Sequence, residues 1–138
     1  MGVTLPESLP VSFLNMLPLP LVIVKHCDDT LNFPIVFAND RFKEVIGWEL
    51  SEIPDKDAWW QKAYPSSSYQ KVVQNQWELI MESVDPHSES SVVMTVNIRT
   101  KHKGTKRFNV YSEISFGLLP GHYAVAFEEV APEDSEDS

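Results

Sequence analysis

The chain has 138 residues, 43% of them hydrophobic, and its 20 acidic and 11 basic residues give a formal net charge of −9. This length fits one domain with a substantial core, and the acidic balance argues against general nucleic-acid binding. Six of the acids fall in residues 128–138, which contain no Lys or Arg. Such an end is typical of a solvated, disordered tail.

Cysteine content and the N-terminal segment indicate the cellular compartment of the protein. Cys27 is the only cysteine, which excludes an intramolecular disulfide and a cysteine-rich zinc site and favours a reducing environment. No basic residue precedes Lys25, and four prolines interrupt the apolar content before it. Neither a signal peptide nor a membrane helix is predicted. We therefore expect a cytoplasmic protein with no membrane contact and no metal site.

Short elements are predicted in the first third of the chain. Residues 11–17 place apolar side chains on one helical face before Pro18, which disfavours continuation of the helix. Residues 21–26 and 34–38 have the β-branched and aromatic content of strands, separated by a polar turn, and predict an antiparallel pair. The second strand stops abruptly at Asn39 and Asp40. Either side chain can cap a short helix that Gly47 closes.

Helices continue through the middle of the chain. Asp57 is predicted to cap a helix that ends before Pro65. Ser67 and Gln70 have the spacing of a capping box and predict a longer helix over about residues 67–82, with Tyr69, Val73 and other apolar residues on one face.

The final part changes to a period of two. Met94, Val96 and Ile98 alternate with polar residues, and a second alternating stretch follows a turn that contains Gly104. This pattern predicts a hairpin of long strands. A turn near Gly121 precedes one more strand. The fold class is therefore α+β: a five-stranded antiparallel sheet with several short helices and one longer helix over one face.

This order of elements resembles the PAS domain, of the type found in bacterial sensory histidine kinases and related signalling proteins. The resemblance lies in "PIVFANDRFKEVIGWELSEI", similar to the family's strand, Asn-led helix and Gly-aromatic-acidic turn, in "AYPSSSYQKVVQNQW" and in the basic hairpin "IRTKHKGTKRF". It implies a sensory domain over residues 11–130, between an N-terminal extension, residues 1–10, and an acidic tail, residues 131–138. It also implies two-component signalling, a homodimer, and an output that lies on another domain or a partner protein.

The resemblance speaks against two family cofactors. Photosensory members attach flavin through a cysteine in an Asn-Cys-Arg-Phe-type helix segment, whereas Cys27 lies near the end of the first predicted strand. Haem-binding members often use a histidine on the long helix, and residues 67–82 contain none. The cofactor is left unknown, with neither a flavin adduct nor haem expected.

The resemblance implies a pocket between the helices and the sheet, and apolar and aromatic side chains are what such pockets use. The candidate pocket residues are Trp60, Tyr64, Tyr69, Val73, Trp77, Met94, Val96, Asn97 and Tyr111. Ordinary core packing would require the same residue types. The candidate dimer-interface residues are Phe13, Leu14 and Leu17.

Three functions remain open at this point. The first is a sensory domain that binds a small molecule or partner and relays a conformational change. The second is a ligand-free protein-interaction or dimerisation module. The third is a small enzyme on a cone-like α+β fold, which would need a deep pocket with a perturbed acid or histidine. The five glycines form no phosphate-binding motif, and neither GxSxG nor HExxH occurs, so we expect no catalytic activity of its own.

Overall fold

A computed structural model describes residues 11–29, 32–85, 91–113 and 121–130. The predicted N-terminal extension, residues 1–10, and the predicted acidic tail, residues 131–138, lie outside the described residues. Among the described helices, none is long and apolar enough to cross a membrane.

The elements follow one another in the predicted order, and the α+β prediction is confirmed. The helices of the described residues are α1 (Val11–Met16), α2 (Asp40–Val45), α3 (Lys56–Ala63) and α4 (Ser67–Ser83). The strands are β1 (Leu21–Lys25), β2 (Ile35–Ala38), β3 (Ser91–Arg99), β4 (Thr105–Glu113) and β5 (His122–Glu129).

All five strands belong to one antiparallel sheet in the order β2-β1-β5-β4-β3. The predicted pairs β1–β2 and β3–β4 are both present. The last strand in sequence, β5, lies between β1 and β4 and joins the two pairs. The sheet therefore depends on a contact between the two ends of the domain.

Asn39 explains why β2 stops where it does. Its side chain is fully buried, and its Oδ1 accepts hydrogen bonds from the backbone N–H of Phe42 at 3.0 Å and of Leu21 at 2.9 Å. Its Nδ2 donates to the carbonyls of Leu14 at 2.8 Å and Leu19 at 3.0 Å. One side chain thus caps α2 and ties it to both the end of α1 and the start of β1.

The predicted capping residues of α3 and α4 are wrong, although α4 itself spans Ser67–Ser83, close to the predicted residues 67–82. Asp55, not Asp57, caps α3 by accepting from the N–H of Ala58 at 2.9 Å. Ser66, not Ser67, caps α4, and Gln70 donates to the carbonyl of Tyr64 at 2.7 Å instead of completing a capping box. Neighbouring Asp and Ser residues have equal capping chemistry, so tertiary contacts decide which of them is used.

Helices cover the inner face of the sheet, and α1 covers part of its outer face. On its inner face, α2, α3 and α4 enclose the main core, which includes Phe42, Val73 and Phe127. On its outer face, a smaller cluster packs Leu14 of α1 against β1, β2 and Ala124 of β5. Alternation along β1 sends Leu21 and Ile23 outward and the valines between and after them inward, so β1 is apolar on both faces.

The edge strand β3 is shielded by α4. The hydroxyl of Tyr69 accepts a hydrogen bond from the backbone N–H of Asn97 at 2.8 Å, and Gln76 Nε2 donates to the carbonyl of Thr95 at 3.3 Å. These bonds occupy backbone groups that an exposed edge would otherwise offer to another chain.

Candidate functional site

A cavity of about 120 Å³ lies between the inner face of the sheet and the helices α2, α3 and α4. All five strands contribute to its wall, and Val22, Val24, Val110 and Val125 form much of the sheet side. The helical side is largely aromatic, with Phe42, Trp59, Trp60, Tyr64 and Trp77. The predominantly apolar wall is typical of small-molecule sites.

The aromatic rings form a connected network. The ring centroid of Trp59 lies 5.8 Å from that of Phe42, 5.6 Å from that of Phe127 and 6.3 Å from that of Tyr64. Trp60 and Tyr64 are 5.1 Å apart and nearly perpendicular, at 74°. Edge-to-face contacts of this kind hold rings in defined orientations, so this side of the cavity is preformed.

A few polar groups reach the otherwise apolar wall. Burial raises the pKa of Tyr64 well above its ordinary value, with a smaller contribution from Tyr69, and burial raises the pKa of Tyr123 to about 12. Ser112, on the inner face of β4, is 9% exposed. At neutral pH these three side chains present neutral hydroxyl groups that both donate and accept hydrogen bonds.

Lys56 is the charged side chain among the described residues of the wall. Its backbone N–H donates to the carbonyl of Phe33 at 2.9 Å, and its Nζ lies 5.1 Å from the centroid of the Phe33 ring. Burial lowers the pKa of Lys56, and Asp57 partly opposes this effect. Lys56, in the first turn of α3, therefore adds one positive charge to a wall whose other described residues are apolar or neutral.

The position of Lys56 depends on the strand that leads into β2. Ile35 donates its N–H to the carbonyl of Pro54 at 2.9 Å, and the N–H of Asp57 donates to Oδ1 of Asn32 at 2.8 Å. Pro34 and Asp55 form an antiparallel bridge. Backbone bonds thus fix the start of α3 against this strand, independently of helix propensity.

Four of the predicted pocket residues line this cavity: Trp60, Tyr64, Trp77 and Met94. Their side chains come from α3, from its C-terminal end, from α4 and from β3. Contact of these residues with a ligand remains a prediction.

The other five predicted pocket residues are not on the cavity wall. Val73 and Val96 are fully buried in the main core, where they pack against protein. The Tyr69 hydroxyl is bonded to the edge of β3. Asn97 and Tyr111 point away from the cavity, because alternation along β3 and β4 places their neighbours, not them, on the inner face.

On the outer face, both polar residues have partners. Asn97 Oδ1 accepts from Arg107 Nη1 at 3.1 Å, and the Tyr111 hydroxyl donates to Glu128 Oε1 at 2.8 Å. That bond, followed by burial, raises the pKa of Tyr111.

Among the polar side chains of the wall, the prediction missed Lys56, Ser112 and Tyr123. For Ser112 a usable signal existed, since the alternation of Phe108 and Val110 places Ser112 on the same face. No sequence pattern marks Lys56, because its place at the cavity depends on the backbone bonds between α3 and the distant strand.

The predicted dimer residues have different environments. Phe13 is 52% exposed, whereas Leu14 is 2% exposed because it packs on the outer face of the sheet. Leu17 is partly buried against the same cluster. Leu14 is therefore unable to offer its side chain to a partner in this conformation.

No family model and no curated protein matches the chain. Solved structures, in contrast, are similar to it in fold. A LOV protein of Rhodobacter sphaeroides superposes with a TM-score of 0.58 at 10% identity, over 92% of this chain and 68% of that chain. The PAS domain of a LuxR-family transcriptional regulator from Burkholderia thailandensis, in complex with ethanol, has a TM-score of 0.58 at 13% identity, over 88% and 96%. The PAS domain of an HTR-like protein from Haloarcula marismortui has a TM-score of 0.56 at 13% identity, over 86% and 87%. The protein therefore has the PAS fold, as the sequence resemblance predicted.

Proposed function

We propose that this protein is a sensory signalling domain that binds a small molecule between its helices and its sheet and has no catalytic activity of its own. The observation that carries the proposal is the cavity of about 120 Å³ with its apolar, aromatic wall. The PAS domain from Burkholderia thailandensis, which is similar in fold, was solved in complex with ethanol. A small ligand is thus compatible with this architecture.

A light-oxygen-voltage domain of similar fold was solved with a flavin analogue, but flavin does not fit the residues present in this chain. An apolar cavity of about 150 Å³ accepts benzene, so a cavity of about 120 Å³ holds roughly one ring, not three fused rings with a ribityl phosphate. Cys27 lies beyond the end of β1, where its Sγ is 3.9 Å from the carbonyl of Lys25, and it is not on the cavity wall. The ligand we propose is correspondingly small.

The enzyme alternative has little support at this site. General acid–base catalysis uses His, Asp or Glu most often, and the described residues of the cavity wall include none of these. No group of three or more metal-ligating side chains occurs within the part of the chain that the structure describes. Binding is the function that the wall chemistry favours.

The proposed relay uses the short helices. α2 has 6 residues and α3 has 8, and helices of this length are stable only through tertiary contacts. A ligand that contacts Trp59 or Trp60 changes the packing of α3 on β5, and a shift in population between two arrangements follows from any difference in affinity between them. The sheet then passes this bias to a neighbouring subunit or domain.

Native mass spectrometry of the purified protein, compared with its denatured mass, tests ligand binding. We expect a mass excess that disappears on denaturation. Val110→Phe would fill the cavity from β4 and remove the mass excess. Val93→Phe would keep it, because Val93 lies on the outer face of β3 and is 48% exposed. Overpacking costs about 1–3 kcal/mol, so thermal unfolding of both variants is measured, and Val125→Phe replaces Val110→Phe if the latter unfolds.

Hydrogen exchange with and without the ligand tests the relay. We expect slower exchange across residues 39–82 when the ligand is bound, because ordering of the helices reduces local opening. Equal, global-level protection of these residues and of the sheet in the ligand-free protein would contradict the proposed motion.

A second candidate function, a dimerisation or protein-interaction module, is favoured by the outer face. Val93 pairs with Tyr111 and Tyr111 with Ala126 across three strands, and the exposed side chains Phe13 and Met16 of α1 lie on the same face. Sedimentation velocity tests it: Tyr111→Arg would dissociate a dimer, whereas Leu79→Arg, on the exposed side of α4, would not. A monomeric native protein at high concentration would remove this candidate.

A further inference from the structure

We propose that the ligand is a small aromatic monocarboxylate, with its carboxylate bonded to Lys56 Nζ and its single ring enclosed by the aromatic wall of the cavity. This inference rests on the proposed function, since it names the class of molecule that the cavity binds.

Lys56 has no ion-pair partner among the described residues. The ion pairs among the described residues involve Lys101, Lys106, Arg41 and His26, but not Lys56. Asp57 acts on Lys56 only as a more distant charge, and Asp55 is engaged as the cap of α3. The contact of the Lys56 ammonium that the structure shows is with the face of Phe33 at 5.1 Å.

The position of the Lys56 ammonium has an electrostatic cost. An ammonium group that is partly withdrawn from water without an anion loses part of its solvation, and the lowered pKa of the half-buried Lys56 reflects that loss. A face contact with Phe33 replaces only part of it. A carboxylate from a ligand would supply the charge-assisted hydrogen bonds that the ammonium lacks.

The charge of the cavity wall selects the charge of the ligand. Lys56 is the charged residue among the described residues that line the cavity, so its positive charge favours a ligand with one negative charge. A dicarboxylate would leave its second group among Val, Phe and Trp side chains, where an unpaired carboxylate is strongly disfavoured. One acidic group therefore fits best.

The size and the aromatic lining of the cavity favour a single ring. The cavity of about 120 Å³ has the size for roughly one six-membered ring. Tyr64 meets both Trp59 and Trp60 at interplanar angles of 74°, and aromatic ligands gain from the same edge-to-face geometry. An aliphatic chain of equal volume would lack this contribution.

Lys62 offers a matched control for Lys56. Both lysines belong to α3, and the Nζ of Lys62 lies 5.2 Å from the centroid of the Trp48 ring, close to the 5.1 Å between Lys56 and Phe33. Lys62 does not line the cavity. Its replacement by Met removes the same charge and a similar ring contact without changing the proposed site.

The experiment is a titration of the intact chain with benzoate, benzamide and toluene, followed by isothermal titration calorimetry and by tryptophan fluorescence, since Trp59, Trp60 and Trp77 line the cavity. We expect benzoate to bind at least about tenfold more tightly than the two neutral probes, because hydrogen bonds to charged groups contribute more than neutral ones. Lys56→Met would weaken benzoate roughly tenfold to a hundredfold and leave toluene nearly unchanged. Lys62→Met would leave all three affinities unchanged.

Two outcomes would overturn the inference. One is toluene or benzamide binding to the native protein as tightly as benzoate; this comparison needs no variant and holds even if Lys56→Met does not fold. The other is an equal effect of Lys56→Met and Lys62→Met on benzoate. In both cases binding in the cavity, and with it the proposed function, would survive. Failure of all three probes, together with no mass excess on the protein isolated from cells, would reject the proposed function as well.

Discussion

Replacing Asn39 tests whether one buried amide joins α1, β1 and α2. In Asn39→Ala, the N–H groups of Leu21 and Phe42 lose their acceptor, and the carbonyls of Leu14 and Leu19 lose their donor. The Leu14 carbonyl keeps a long bond from the N–H of Leu17 at 3.4 Å. The variant therefore leaves about three backbone groups without a good partner.

The expected loss follows from these groups. A lost helix cap costs about 1 kcal/mol, and each buried backbone group left unsatisfied costs about 1–3 kcal/mol. Because part of the deficit relaxes through water near Leu19, whose bond is only partly buried, we expect the free energy of unfolding to fall by ~3–5 kcal/mol. For a chain of this length the unfolding midpoint would fall on the order of 10 °C.

Urea denaturation followed by circular dichroism measures this change. Asn15→Ala is the control, because the Asn15 side chain makes an exposed bond to the N–H of Asp40 at the same end of α2; we expect it to cost less than about 1 kcal/mol. If Asn39→Ala cost no more free energy of unfolding than Asn15→Ala, the buried Asn39 amide would not be what holds α1, β1 and α2 together.

Asn39→Asp adds a pH dependence to the same test. The aspartate keeps one oxygen for Leu21 and Phe42 but turns a second oxygen towards the carbonyls of Leu14 and Leu19, which repel it unless it is protonated. The pKa of this carboxyl in the folded state should therefore lie above its ordinary value of about 3.9. A raised folded pKa contributes stability that is present at low pH and is lost as pH rises, so the deficit relative to the native protein should widen from pH 4 to pH 7. A deficit that shrinks over this range would refute the assigned orientation of the amide.

Three further predictions concern other residues. Gly47→Ala should lower the free energy of unfolding by on the order of 2–3 kcal/mol, because Gly47 has φ +92° and an added Cβ would lie 3.0 Å from the side chain of Lys101. Gly104→Ala, at φ +74° with open space around it, should cost about half as much. Equal urea midpoints for the two variants would contradict this interpretation. The backbone N–H of Glu49, and then Lys101, lower the pKa of Glu52. The stability that these contacts confer is therefore present above about pH 4 and is lost as pH falls. In acid titrations followed by fluorescence, Glu52→Gln should lose less stability between pH 5 and pH 3 than the native protein does. Because burial lowers the pKa of Lys56, its charged form is disfavoured in the folded state, and Lys56→Met should unfold at an equal or higher temperature than the native protein at pH 7; a clearly lower midpoint in thermal scans would show that the ammonium has a partner that stabilises the fold.

The sequence by itself determined the type and order of the elements. Their periodicity depends on local geometry, which apolar spacing reports directly. The period of two in β3 and β4, the turn at Gly104 and the capping residue Asn39 between β2 and α2 all predict local structure that the protein adopts. The caps of α3 and α4 were each misplaced by one or two residues, since adjacent Asp and Ser residues have the same local preference and only backbone bonds elsewhere, such as that from Lys56 to Phe33, distinguish them.

Tertiary structure alone decided which residues meet at the cavity. The pairing of β5 with β1 sets Tyr123 opposite Val24, far apart in sequence, and no local pattern encodes that register. Burial was predictable for Val73 and Val96. A buried side chain can, however, face either other protein atoms or the cavity, and which of these it faces depends on how the helices pack on the sheet. The position of α1 on the outer face, which hides Leu14 and leaves Phe13 exposed, follows from the same cause: an apolar helix face specifies that it must be covered, while the surface that covers it is chosen by the whole fold.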